Sequence, residues 1–285
     1  MIGNVMDDLI LKSVLAPALL SSCILLTGCD TLSSDFQDLV DQLTPTSPAE
    51  AGQLATDFAD PENQQQGLTL LGTATWGGEE EYLRLYRNCI EGPFDPLVKA
   101  AAIRALAYHG DPSDAALIAT ALKDEVVYVR HEAAKGLQRL HDDKVADAIW
   151  QHLVIEEDSS IRMELAIALG QYPKDSVFQA LVLSLEAREL GVNLAAADSL
   201  RTLTGQDHGL DARSWLAWYD STSAPFGAEE IYFYPVYTRP LGWLERINIF
   251  NPIVWEKPAL PRGLEVRSTR STWSEDPDKT REEGS

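Results

Sequence analysis

The side chains that most often perform chemistry are few in this sequence and widely spaced. The five histidines never occur three or four residues apart: His109, His131, His141, His152 and His208. Cys89 is the one cysteine after residue 29, so the sequence contains no zinc-ligand spacing. It also contains no glycine-rich phosphate loop and no Gly-x-Ser-x-Gly elbow. We therefore predict no catalytic residue, no metal and no cofactor, and a protein that is not an enzyme.

Basic side chains recur at one position of a repeated pattern. Lys99, Arg130 and Arg162 each follow the aliphatic residue that opens an alanine-rich segment, and Asn193 takes this position in a fourth copy. The four segments begin at residues 98, 129, 161 and 192, which gives steps of 31, 32 and 31 residues. Because this period is typical of helical hairpins that stack side by side, the pattern predicts a solenoid with a regular succession of paired helices.

This pattern resembles HEAT repeats, specifically the short bacterial type, over residues 61–204. The resemblance implies an all-α fold, a right-handed α-α superhelix of the HEAT/ARM kind. It also implies a structural ladder in which Lys99, Arg130 and Arg162 meet acids of adjacent repeats. The acids that precede the bases are Asp95, then Asp124 or Glu125, then Glu157 or Asp158. A row of bases that binds a ligand is the alternative to this ladder.

The C-terminal third of the chain changes in character. Trp215 and Trp218 lie three residues apart in a short predicted helix, where they would cover the open end of a stack that covers residues 48–220. Residues 221–256 are rich in proline and aromatic residues, and we expect them to pack on the solenoid as an irregular segment. Residues 257–285 are polar and predicted to be disordered. Aromatic residues left exposed would dock a partner, and the candidates are Tyr232, Tyr234, Tyr237, Trp243 and Trp255.

An apolar run near the N-terminus carries a possible modification site. Residues 14–26 have the length of a signal peptide and are too short for a typical membrane span. The sequence that follows, Leu26-Thr27-Gly28-Cys29, resembles the bacterial lipobox. The resemblance implies cleavage after a signal peptide of residues 1–28 and acylation of Cys29, with acyl groups such as palmitate. An ordinary secretory signal, or a core helix with an incidental cysteine, is the alternative.

The lipobox resemblance predicts where the protein is located in the cell, and the charge of the chain disfavours one class of partner. Residues 29–47 would form a flexible tether that holds the solenoid in the periplasm, on the inner or the outer membrane. The formal net charge of −21 disfavours nucleic acid as a partner, because an acidic surface repels phosphates.

These features favour a non-catalytic, lipid-anchored scaffold that binds an unknown protein partner. The alternatives are an envelope lipoprotein that binds glycan or a small ligand, and an enzyme similar to the bilin lyases, whose repeat domains the short repeats also resemble.

Overall fold

The computed structural model describes residues 47–226, 231–236 and 257–265, all within a compact unit formed by residues 46–285. The predicted signal peptide, the lipobox with Cys29 and almost all of the predicted tether lie outside the described residues. The described residues form eleven α-helices, three short 3-10 turns and two isolated β-bridges, without a β-strand. The prediction of an all-α fold is confirmed.

The helices follow one another with short connections. In chain order they are α1 (Pro48–Ala55), α2 (Pro61–Thr73), α3 (Glu80–Glu91), α4 (Pro96–His109), α5 (Ala115–Thr120), α6 (Val127–Gly136), α7 (Ala146–Ile155), α8 (Ser159–Leu169), α9 (Asp175–Ser184), α10 (Leu190–Thr204) and α11 (Ala212–Ser221). The 3-10 turns are Pro112–Asp114, Ala121–Lys123 and Asp143–Val145.

Local sequence signals set several of the helix starts. Asp95 accepts a hydrogen bond from the Leu97 amide at 2.8 Å, and Pro96 occupies the first helical position of α4, where no N–H is needed. Asp158 accepts from the amides of Ser160 and Ile161 at the start of α8. These caps define the length of each helix and therefore the position of its neighbour.

The helices form two layers. Helices α2, α4, α6, α8 and α10 lie side by side in the first layer, and α1 packs on α2 at one end. The second layer contains α3, α5, α7, α9 and α11, with α5 contacting the 3-10 turn that leads into α7. Each first-layer helix is followed by a second-layer helix, so the chain runs as a succession of hairpins. This arrangement is the stack that the 31- and 32-residue steps predict.

The core lies between the layers and depends on small residues where helices approach closely. A Cβ atom on Gly72 of α2 would lie 3.1 Å from the Cα of Ala105 of α4. The leucines that occur once per repeat are completely buried between the layers. They are Leu106, Leu137, Leu169 and Leu200. Small residues bring the first-layer helices together and the leucines fill the remaining space, so each repeat depends on its neighbours for burial.

The C-terminal end of the stack is closed by α11. Trp215 is completely buried and its indole N–H donates to the carbonyl of Gly209 at 3.0 Å. Its ring meets Phe178 of α9 edge to face, with the centroids 6.4 Å apart. Trp218 packs partly buried beside it, 6.3 Å from the Trp215 centroid. The pair covers apolar surface of α9 that has no following repeat.

Candidate functional site: the two edges of the repeat stack

Each predicted ladder base meets an acid in the connection that leads to the next repeat. The pairs are Lys99 with Asp124 at 3.8 Å, Arg130 with Glu156 at 2.9 Å and Arg162 with Glu189 at 3.5 Å. The acid therefore comes 25 to 27 residues after the base. Asp124 is among the acids that sequence analysis names, whereas Glu156 and Glu189 are missed because sequence reasoning considers only the acids that precede each base.

Arg130 is the most extensively bonded base of the ladder. It donates from Nε and Nη2 to the Glu156 carboxylate, and from Nη1 to the carbonyls of Asp124 and Glu125 at 3.0 and 3.1 Å. Burial opposes ionisation of Glu156, but hydrogen bonds from Arg130 and from the Asp158 amide outweigh it and lower the pKa of Glu156. One guanidinium thus joins two successive connections of the stack.

Asn193 replaces a base in the last repeat and keeps part of this function. Its side-chain amide donates to the carbonyls of Ser184, Leu185 and Ala187, at 3.1, 2.6 and 3.1 Å. These bonds point back to the preceding connection, as the Nη1 bonds of Arg130 do. Asn193 has no charge with which to hold a following acid, so the ladder ends at this repeat.

A second ion pair joins neighbouring first-layer helices. Arg104 of α4 donates to Glu132 of α6 at 3.1 Å and to the Tyr128 hydroxyl at 3.0 Å. The Glu132 side chain is only 5% exposed. Burial alone would raise the pKa of Glu132, but the hydrogen bond and charge of Arg104 outweigh burial and lower this pKa. This pair is structural, because Glu132 is almost inaccessible.

The two edges of the stack differ in what covers them. We call the turns inside the hairpins, after each first-layer helix, the intra-repeat edge. We call the connections between hairpins, with the helix ends that flank them, the inter-repeat edge. Its connections, counted with the last residue of α3 and of the 3-10 turn before α6, are residues 56–60, 91–95, 123–126, 156–158 and 186–189.

The intra-repeat edge is covered by residues 231–236 and 257–265, which we call the strap. The amide of Tyr234 donates to the Ala259 carbonyl at 3.0 Å and joins the two parts of the strap. The Arg262 amide donates to the Arg139 carbonyl, and the His141 amide donates to the Arg262 carbonyl, each at 2.8 Å. The Arg262 guanidinium reaches the Gly110 carbonyl at 2.7 Å. The strap therefore crosses the turns of two successive repeats.

These contacts correct one prediction. Residues 257–265 belong to a tail that sequence analysis predicts to be disordered, but they lie against the stack. The polar composition of residues 257–265 is misleading because this part of the strap is held mainly by backbone hydrogen bonds and the Arg262 side chain, which need no apolar pattern. Residues 266–285 lie outside the described residues.

Two of the five candidate docking aromatics belong to the strap. Tyr232 is 7% exposed, its ring lies beside Gly170, and burial raises the pKa of its hydroxyl. The Tyr234 ring lies under the Arg139 guanidinium, 5.1 Å from the ring centroid. Tyr237, Trp243 and Trp255 lie outside the described residues. A partner-binding role for these aromatics stays a prediction.

The inter-repeat edge carries a row of exposed apolar side chains. Of the fifteen large apolar residues exposed among the described residues, seven belong to this edge, and Ile155 is the most exposed at 70%. The seven are Phe58, Leu97, Val126, Val127, Val154, Ile155 and Leu190. Single exposed apolar residues are ordinary on protein surfaces, and their recurrence along one edge makes this edge the candidate interaction surface.

The same edge is acidic. Its five connections together with the three ladder bases contain eleven acidic and five basic side chains. Three acids are neutralised by the ladder. Among the described residues, four exposed carboxylates of this edge have no ion pair or hydrogen-bond donor: Glu91, Glu125, Glu157 and Glu186. The inter-repeat edge thus combines apolar side chains with unneutralised negative charge.

A cavity of about 260 Å³ opens at this edge between the first regular repeats. Lys99 and Asp124 of the ladder lie in its wall. Its other walls come from α3, α4 and the start of α6, through residues such as Ile90, Ile103 and Val129. The cavity is smaller than the roughly 300–1,000 Å³ of typical small-molecule sites.

Two kinds of reactive site, a nucleophilic thiol and a metal centre, can be assessed in the described residues. Cys89 is buried, and burial raises the pKa of its thiol to about 11, which disfavours the reactive thiolate. Residues 47–226, 231–236 and 257–265 hold no group of three or more potential metal ligands. Within the same ranges no helix has the length and apolarity needed to cross a membrane.

Comparison with known proteins agrees with this architecture. The sequence model of the family described as HEAT repeats matches residues 83–170, which run from α3 to the end of α8. This part of the chain is therefore similar to HEAT repeats, and it contains the Arg130 rung and the Arg104–Glu132 pair. No curated protein matches the chain.

Proposed function

We propose that this protein is a non-catalytic scaffold that binds another protein on its repeat stack while a lipid anchor at Cys29 holds it to a membrane. The observation that carries the proposal is the apolar row along the inter-repeat edge of a stack similar to HEAT repeats. HEAT repeats generally serve in protein–protein interaction, because stacked helical pairs offer long continuous surfaces.

The anchor rests on sequence alone. Leu26-Thr27-Gly28-Cys29 follows an apolar run at the distance from the start that a lipobox requires. Two or more acyl chains would hold the protein stably, whereas one chain binds a membrane only marginally. Residues 30–47 are polar and would tether the stack to a periplasm-facing membrane surface. Mass spectrometry of the mature N-terminus tests this part, with Cys29→Ser as the matched variant that cannot be acylated at that position.

Crosslinking in intact cells tests the scaffold. The full chain with a C-terminal tag is crosslinked, purified from membranes and analysed by quantitative mass spectrometry, beside a tagged lipoprotein that lacks the repeat stack. We expect one protein at near-equal amount that is absent from the control. If several crosslinkers of different length capture no specific protein, the scaffold proposal is wrong and a glycan or small ligand becomes the leading candidate.

A further inference from the structure

The inter-repeat edge is one continuous surface rather than a set of separate loops. The Phe58 and Phe94 rings lie 6.0 Å apart and join the first two connections. Arg130 then joins the connection at Asp124 to the connection at Glu156, and Arg162 reaches Glu189 in the next. Because these contacts fix the spacing of the connections, the exposed side chains between them form a row with a rigid base.

Exposed apolar residues and free carboxylates occur together at the same connections of this row. Val127 and Glu125 lie at one connection, Ile155 and Glu157 at the next, and Leu190 follows Glu186 at the last. The margin of this apolar row is predominantly acidic, although it also holds the exposed bases Lys123 and Arg188. Such a surface favours a partner that is apolar on one side and carries positive charge at its margin. The chemistry complementary to this edge is therefore a cationic amphipathic segment.

The stretches of this chain outside the described residues carry no net positive charge over their length. Residues 237–256 carry two basic and two acidic side chains, and residues 266–285 carry four basic and five acidic ones. Residues 1–46 carry one basic and six acidic side chains. A second copy of the chain carries the same charge of −21 and would be repelled. These charges favour an occupant that comes from a different protein.

From this combination we infer that the inter-repeat edge docks a cationic amphipathic helix or extended segment of a partner protein. The inference rests on the proposed scaffold function and assigns it to one surface. Apolar side chains of the partner lie on Leu97, Val127 and Ile155, and its basic side chains meet Glu125, Glu157 and Glu186. The cavity beside Lys99 opens at the same edge.

A defined peptide tests the inference on the full chain. The probe is a fluorescent fifteen-residue Leu/Lys peptide of amphipathic pattern, compared with Leu/Glu and Ser/Lys peptides of the same length by fluorescence anisotropy. We expect the Leu/Lys peptide to bind at least about tenfold more tightly than either control peptide, because each control lacks one half of the complementarity.

Two sets of matched variants assign the binding to the edge. The edge variants are Glu125→Lys/Glu157→Lys/Glu186→Lys and Leu97→Ser/Val127→Ser/Ile155→Ser. The controls change exposed acidic and apolar residues elsewhere: Glu81→Lys/Asp143→Lys/Asp220→Lys and Leu210→Ser/Leu216→Ser. Circular dichroism verifies that each variant is folded. Each edge variant should weaken binding of the Leu/Lys peptide by about tenfold or more, and each control variant by less than about twofold.

Three results would overturn the inference. They are absence of Leu/Lys binding, equal loss in the edge and control variants, and equal binding of the Leu/Glu peptide. Binding of the full chain to phosphatidylcholine vesicles that is lost in the Leu97/Val127/Ile155 variant, without peptide binding, would assign the edge to a membrane instead. Crosslinking in cells distinguishes failure of the scaffold proposal from failure of this inference. If a specific partner is captured but the peptide test fails, the scaffold proposal holds and only the assignment of binding to the inter-repeat edge is wrong.

Discussion

The Arg130 guanidinium donates two hydrogen bonds to the Glu156 carboxylate, at 2.9 and 3.1 Å, across the boundary between two successive repeats. The Glu156 side chain is only 3% exposed. Lys99 and Arg162 hold the equivalent place in their own repeats, but their acids Asp124 and Glu189 are 21% and 45% exposed. The central rung of the ladder is thus the most buried, and the rungs should contribute unequally to stability.

Arg130→Met should lower the free energy of unfolding by about 2–3 kcal/mol at neutral pH, because Glu156 loses its main counter-charge in a buried position. The matched variant Arg162→Met removes a pair whose acid is nearly half exposed and should cost about 0–1 kcal/mol. Urea unfolding followed by circular dichroism measures both. Equal losses in the two variants would show that burial of the acid does not set the strength of a rung.

The Arg104–Glu132 pair should make stability depend on pH. The folded pKa of Glu132 is lowered, so in acid the unfolded chain binds the proton more readily than the folded chain. The stability from this pair is present above the ordinary glutamate pKa of about 4.3 and is lost as the pH falls through the lower folded value. Glu132→Gln should flatten the fall in unfolding free energy between neutral pH and this range. Glu125→Gln, at an exposed carboxylate without an ion pair among the described residues, should leave the wild-type slope, and an unchanged slope in Glu132→Gln would contradict this account.

The repeat stack could be predicted from the sequence because each repeat contains the same local pattern of residues. Leu106 and Leu137 occupy the same position in successive repeats. Helical periodicity is a local property, so it can be recognised in a single sequence. The ladder bases follow from the same repetition. The acid that pairs with each base could not be identified from the sequence, since it lies 25 to 27 residues after the base and comes close only when the hairpins stack.

The strap and the inter-repeat edge could not be predicted in the same way. The segment around Arg262 contacts the repeat stack mainly through its backbone and the Arg262 side chain. Nothing in its local sequence therefore distinguishes it from a polar tail. The apolar row consists of single residues such as Phe58 and Ile155 at the ends of different helices. They align only because every connection between hairpins returns to the same side of the stack.

Trp215 should be essential for the C-terminal end of the stack. Trp215→Ala removes a completely buried indole and its bond to Gly209, and should cost about 3–5 kcal/mol. Hydrogen exchange should become faster first in α9, α10 and α11, because the loss is local to the covered end. Leu216→Ala, at the exposed neighbouring position, should change stability by no more than about 0.5 kcal/mol. A uniform rise in exchange from α2 to α11 would contradict a capping role.

Gly263 should be required for the strap to lie on the intra-repeat edge. Its φ is +90°, and a Cβ atom there would be 2.6 Å from the His141 carbonyl oxygen and 2.7 Å from Pro112. Gly209 also has a positive φ, of +58°, but a Cβ atom there meets nothing within 4 Å. Both alanine variants place a side chain at a positive φ and are strained, but only Gly263→Ala also brings a Cβ atom into a clash.

Gly263→Ala should therefore accelerate exchange of the His141 amide hydrogen, which the Arg262 carbonyl accepts in the intact strap. It should also expose the bond after Arg262 to trypsin. Gly209→Ala should leave both measurements at their wild-type values. Protection of the His141 amide that persists in a folded Gly263→Ala protein would show that the strap tolerates the added side chain.

Site-specific photocrosslinking in intact cells tests the central claim most directly. A photoreactive amino acid is placed at Val127 or Ile155 of the inter-repeat edge, and at Leu216 as the matched exposed position on α11. The account predicts that both edge positions crosslink to the same protein, through a segment that is basic and apolar, and that Leu216 does not. Crosslinking of that protein only from Leu216, or of no protein from either edge position, would contradict it.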